Sequence, residues 1–139
     1  MKKEIADRWV AALRSGKFRQ GTDYLHCHYH GTYCCLGVLC TLYDEDAGAD
    51  DEVAGTWRDG HEVLPSEVRD WADMDSVDGS FGKSFPCLTA LNDGTKLAKS
   101  QALALEHLDA LPDEPMLGGH VKLSFEEIAN VIEAEYDQL

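Results

Sequence analysis

Positive charge is scarce in this sequence. Twelve Lys and Arg face 26 Asp and Glu, a formal net charge of −14 over 139 residues. Sequence-independent binding to phosphate backbones needs cations that displace counterions, so a direct nucleic-acid partner is excluded. No apolar run approaches the roughly 20 residues that span a bilayer. The opening Met1-Lys2-Lys3-Glu4 leads into an amphipathic segment rather than the apolar core of a signal peptide, so no membrane is expected and the host-cell cytoplasm is the expected compartment. Neither G-x-x-x-x-G-K-[ST] nor G-x-G-x-x-G occurs, which removes phosphate-loop and Rossmann-type cofactor chemistry, and no cofactor is expected. The five cysteines (Cys27, Cys34, Cys35, Cys40 and Cys87) are odd in number and lack C-x2-C pairs, so reduced thiols are expected instead of a disulfide framework or zinc finger.

What charge there is lies unevenly. Residues 1–22 hold six basic and two acidic side chains, a local +4, and residues 44–78 hold thirteen acids against Arg58 and Arg69, a local −11. The acidic stretch reads either as a solvated face that keeps the protein in solution or as a decoy for a basic groove on another protein. The basic segment reads either as a local counterweight or as a grip on an anionic ligand.

Hydrophobic periodicity gives a helix over residues 3–15 (Ile5, Trp9, Ala12, Leu13), stopped at Gly16. Residues 17–21 and 24–29 favour extended structure, with a turn at His30-Gly31 or Gly31-Thr32. Leu36, Leu39, Cys40 and Tyr43 mark a buried helix from about Cys35 to Asp44. A short helix begins at Leu64-Pro65-Ser66-Glu67, and Cys87–Leu91 forms a helical turn closing at Asn92-Asp93-Gly94. Another helix carries Leu97, Ala98, Ala102, Leu105 and Leu108, a short strand covers His120–Leu123, and Ser124-x-x-Glu127 is a capping box that opens a last helix. Trp9 and Trp71 fit core stripes; Trp57, beside Arg58, does not. The reading is α+β: one helix-rich domain over residues 1–139 with a small antiparallel sheet. It contains an acidic irregular region at 44–86.

Three constellations could carry chemistry. A two-residue turn at His30-Gly31 would set Cys27 opposite Cys34, His26 opposite Cys35 and His28 opposite Tyr33, giving His26, His28 and Cys35 as candidate metal ligands. Alternatively Cys35, at a helix N-terminus, is a nucleophile with a histidine such as His26 as base. Tyr33-Cys34-Cys35-Leu36-Gly37-Val38-Leu39 resembles the start of the catalytic helix in NlpC/P60 peptidases, with Cys34 and Leu36 in place of the usual Asp and Ser, and the resemblance implies a papain-like hydrolase with His120 as base. The third constellation is a binding set: Arg14, Ser15, Lys17, Arg19 and Gln20 after the first helix, with Tyr33, Asn92 and Asp93. Here cations would neutralise an anion, and amides and carboxylate would read a base or ribose edge. The structural alternatives are a helix stop at Ser15-Gly16 and a turn at Asn92-Asp93-Gly94.

Trp9 to Gly21, Tyr33 to Cys40, Leu91-Asn92-Asp93 and Ser124 to Ala129, in that order, resemble a family of short proteins encoded by tailed phages and prophages. The resemblance implies a phage accessory protein of the anti-defence kind, with an insertion at 94–123. The leading expectation is a non-enzymatic protein that sequesters a small anionic, nucleotide-derived ligand, with a homo-oligomer interface as one place for it. An acidic inhibitor of a host defence or nucleic-acid-handling protein and a cysteine hydrolase are the alternatives.

Overall fold

A computed structural model describes residues 1–48, 61–82, 86–111 and 119–139. The expected Trp57, much of the acidic stretch and part of the expected insertion lie outside the described residues. The elements run α1 (Lys3–Arg14), β1 (Arg19–Gln20), β2 (His26–Cys27), β3 (Thr32–Tyr33), α2 (Cys35–Ala47), α3 (Ser66–Ala72), α4 (Leu88–Asp93), β4 (Thr95–Lys96), α5 (Lys99–His107), β5 (His120–Val121), α6 (Phe125–Glu135) and a closing 3-10 turn (Tyr136–Gln138). The fold is helix-rich α+β, as the sequence implied.

The core is built around α2. Its residues Cys35 to Cys40, with Leu42 and Asp44, are buried on nearly every side, which is the pattern of a helix with neighbours all round. Around it pack α1, through Ile5, Ala6, Trp9, Val10 and Leu13, and the short α3 and α4, while α6 buries Phe125, Ile128, Ala129, Val131 and Ile132 and packs chiefly on α1, with α4 beside it. Trp9 is wholly buried, and its indole N–H donates to the Cys35 carbonyl at 2.9 Å, so the largest core side chain also carries its one polar group to a partner. The helix ends follow local chemistry. Ser15 Oγ donates to the Ala12 carbonyl and accepts from Lys17 N, and Gly16 takes φ +71°. Ser124 Oγ accepts from Glu127 N while Glu127 Oε2 accepts from Ser124 N, the expected capping box.

The first sheet has the order β1-β3-β2, with β1 parallel and β2 antiparallel to β3; β4 and β5 form a separate antiparallel pair. The register differs from the sequence expectation. His26 pairs with Tyr33 and Cys27 with Thr32, because the connection uses residues 28–31 rather than two, with Gly31 at φ +60°. The slip is by two residues, so the facing of each side chain survives, but the strand ends at Tyr33 and Cys35 turns into the core. The stretch 94–123 leaves and re-enters through paired strands, and Leu123 N donates to the Leu91 carbonyl at 2.8 Å, so its ends lie side by side.

Two glycines illustrate different constraints. A Cβ on Gly37 would overlap the Leu25 carbonyl, so α2 lies this close to the backbone just before β2 only with glycine there. Gly16 has open space and only its positive φ. Gly37→Ala is therefore expected to destabilise by about 3 kcal/mol or more, and Gly16→Ala by about 1 kcal/mol, as read by urea unfolding.

Candidate functional site

The residues singled out in the sequence come together in part, around two side-chain amides. Gln20 leaves the end of β1 and meets Asn92 in the last turn of α4, Nε2 donating to Asn92 Oδ1 at 3.0 Å and to the Leu123 carbonyl at 2.8 Å. Gln20 Oε1 accepts from Phe125 N, the first residue of α6, at 3.0 Å. Asn92, 0% exposed, donates to the Gly21 carbonyl at 2.9 Å and to Asp93 Oδ1 at 2.7 Å, and its Oδ1 also accepts from Cys35 N, the first residue of α2, at 3.3 Å. All four hydrogen-bonding positions of the Asn92 amide are occupied. The Cys34 side chain makes no cap, so one of the orphan amides at the start of α2 is satisfied by a side chain 57 residues away. Gln20 and Asn92 thus tie β1, α2, α4 and α6 at one point; Asn92 has no free valence with which to read a base, and both Gln20 donors are taken.

The cations of the N-terminal segment do not gather. Arg14 Nε lies 3.0 Å from Glu126 Oε1, and its Nη2 is 2.6 Å from Asn130 Oδ1 and 3.0 Å from Glu133 Oε2, clamping α1 to the polar face of α6. Arg8 grips Asp46 with two parallel bonds of 2.8 and 2.9 Å, joining α1 to α2, and lowers the Asp46 pKa by direct hydrogen bonding. Lys3 pairs with Asp7, and Lys2 donates to the Trp71 carbonyl. Among the described residues, Lys17 and Arg19 are exposed and make no ion pair. Arg14, Lys17 and Arg19 therefore do not form a joint anion grip. Ser15 is the helix stop described above.

The histidines and thiols separate as well. His26 stacks on Tyr33 at 4.3 Å between centroids, with Phe18 edge-on to Tyr33 and His28 edge-on to His26. Tyr29, at the tip of the connection, is 90% exposed. Cys35 is fully buried, its Sγ 3.7 Å from the Leu88 carbonyl, and lies on α2 instead of beside the histidines. Among the described residues no group of three or more His, Cys, Asp or Glu side chains is placed to hold a metal ion, so the set His26, His28 and Cys35 is not assembled. His120 is exposed on β5 opposite Lys96. The nucleophile expectation is corrected on physical grounds. Burial raises the Cys34 pKa to about 11 and Cys35 well above the usual thiol range, and the amides at the helix start do not offset that cost.

Concavities among the described residues include one at α5 and α6 and one at α1 and α2. One, of about 400 Å³, is open and lies between the end of α5 and α6 around His107, Asp109, Asn130 and Glu133. The other, of about 230 Å³, lies between the C-terminal end of α1 and α2, its lining apolar at Ala11, Ala12, Phe18 and Leu42 and polar at Ser15, Lys17 and Glu45. Of the expected ligand residues, Ser15 and Lys17 line it.

Among known proteins, a family model described as a domain of unknown function, DUF8296, matches residues 1–136. The chain belongs to that family. No curated protein and no solved structure matches.

In this DUF8296 domain the sequence reading missed the partners rather than the residues. Glu126, Asn130 and Glu133 sit at i, i+4 and i+7 on α6, a polar stripe whose spacing does signal a helix-facing acceptor row. Glu45 and Leu42, which complete the smaller cavity, carry no local signal of that kind. Asn92→Ala would strand the Cys35 amide, the Gly21 carbonyl and one Gln20 donor, and is expected to cost about 3 kcal/mol, lowering Tm by about 10 °C. Asp93→Ala, at an exposed carboxylate, is expected to cost less than about 1 kcal/mol; thermal unfolding compares the two. Iodoacetamide at neutral pH is expected to alkylate the half-buried Cys27 and Cys87 well before Cys34 or Cys35, as read by peptide mass mapping.

Proposed function

We propose that the protein is a non-catalytic binding protein whose negatively charged exterior engages a positively charged partner protein. The observation that carries this reading is the internal use of its cations. Arg8 and Arg14 are bound to carboxylates of α2 and α6 and fasten helix to helix, and Lys3 pairs with Asp7 along α1, so the three cations of α1 are already engaged by carboxylates. The excess of carboxylates faces outward: Glu67, Asp70, Asp73 and Asp75 are exposed on and after α3. Such a field steers a basic partner and fixes orientation more than it adds affinity. The protonated, buried thiols of Cys34 and Cys35 support a non-catalytic role. In the phage setting that the sequence blocks resemble, the partner would be a host defence or nucleic-acid-handling protein.

A second reading, a small ligand held without turnover, has one observation in its favour: Ser15 and Lys17 line the cavity of about 230 Å³.

The main reading is tested by affinity capture from a bacterial host lysate. A basic protein is expected to be retained at about 50 mM salt and released near 0.5 M, where screening is nearly complete beyond contact distance. The variant Glu67→Gln/Asp70→Asn/Asp73→Asn/Asp75→Asn is expected to lose it. The variant Glu4→Gln/Asp109→Asn/Glu135→Gln/Asp137→Asn, with the same change in net charge, is expected to keep it. Equal loss in both would show a bulk charge effect, and retention in the first would contradict the reading.

A further inference from the structure

We propose that the cavity between α1 and α2 binds a small apolar zwitterion of the branched-chain amino-acid class; the inference rests on the small-ligand reading for its location. The lining residues Ala11, Ala12, Leu42 and Phe18 are apolar, and contact with them removes part of a short branched side chain from water. Polar recognition falls to two groups. The Ser15 hydroxyl already donates to Ala12 and accepts from Lys17 N, which leaves the Lys17 ammonium and the Glu45 carboxylate among the polar lining groups.

The two charges are of opposite sign and do not close on each other. Lys17 makes no ion pair among the described residues, and the partner near Glu45 is Arg8 at 4.0 Å, whose nitrogens are already bidentate on Asp46. A ligand with a net negative charge would gain at Lys17 and lose at Glu45. A ligand that carries a carboxylate and an ammonium on one carbon uses both without a net electrostatic penalty. Volume points the same way. About 230 Å³ lies below the roughly 300 Å³ at which pockets for larger organic ligands begin, so a leucine-sized molecule suits the space and a nucleotide does not. Because both charged groups are exposed, each is worth little, and a Kd of about 1 mM is expected.

Amide chemical shifts of the full chain, titrated with L-leucine, leucinamide, 4-methylpentanoate and adenosine 5′-monophosphate, test this. L-Leucine is expected to move the amides of Ala12, Lys17, Phe18 and Leu42. Leucinamide, lacking the carboxylate, and 4-methylpentanoate, lacking the ammonium, are each expected to bind at least about threefold more weakly. Lys17→Met and Glu45→Gln are expected to weaken L-leucine by a similar factor, and both are surface changes that leave the core untouched. 4-Methylpentanoate binding as well as L-leucine, or better in Glu45→Gln than L-leucine does in the parent, would overturn the zwitterion assignment. Shifts with the nucleotide but not with L-leucine would overturn it while leaving a small anionic ligand in place. No shift with any of the four would remove both.

Discussion

Two helices in this protein begin without enough local capping, and the amides of Gln20 and Asn92 supply what is missing. The first amide of α2 is received by Asn92 Oδ1 and the first amide of α6 by Gln20 Oε1, and the two side chains are bonded to one another. Buried backbone donors at a helix start must find partners, and here the partners come from β1 and α4. Because Asn92 uses every position it has, the join is fully satisfied, the condition under which a buried polar network specifies one arrangement instead of weakening it. The remaining contacts are built on that join. Trp9 reaches the carbonyl of Cys35, the same residue whose amide Asn92 holds, and Gly37 lets the next turn of α2 lie against Leu25.

Electrostatics organise the outside by a different rule. With cations outnumbered by more than two to one, each arginine set between helices meets carboxylates, and Arg8 and Arg14 serve as inter-helix fasteners. What is left for the solvent is mostly acid, and this outward charge underlies the proposed binding role. Lys17 and Arg19, outside those clamps, are exposed on either side of Phe18 in sequence, and the Phe18 ring lies edge-on to Tyr33. The charge of the whole molecule therefore says more about partners than the local +4 of residues 1–22 does.

Much of the helical frame was legible in the sequence because its signals are local. The stripe of Ile5, Trp9 and Leu13, the stop at Ser15-Gly16 and the reciprocal cap at Ser124 and Glu127 each depend on residues within one or two turns. The site was legible only in part. Gln20 and Asn92 were expected to read a ligand and instead meet helix starts, because amides that cap distant helices and amides that read a ligand look alike in sequence. Cys35 was placed correctly at the start of a helix, yet whether a thiol there ionises depends on solvent access, which neighbours from α1 and α4 remove. The turn after Cys27 was misjudged because a glycine fits a two-residue and a four-residue connection equally well, and only the packing of Leu25 against α2 selects between them.

The central claim is that Gln20 and Asn92 act as one unit that joins two helix starts. A double-mutant cycle measures this directly, with urea unfolding of the parent, Gln20→Ala, Asn92→Ala and the double variant. The account predicts a coupling energy of about 1–2 kcal/mol, the double variant being less destabilised than the sum of the singles. Additivity to within about 0.3 kcal/mol would contradict it, since the two amides would then support the fold independently.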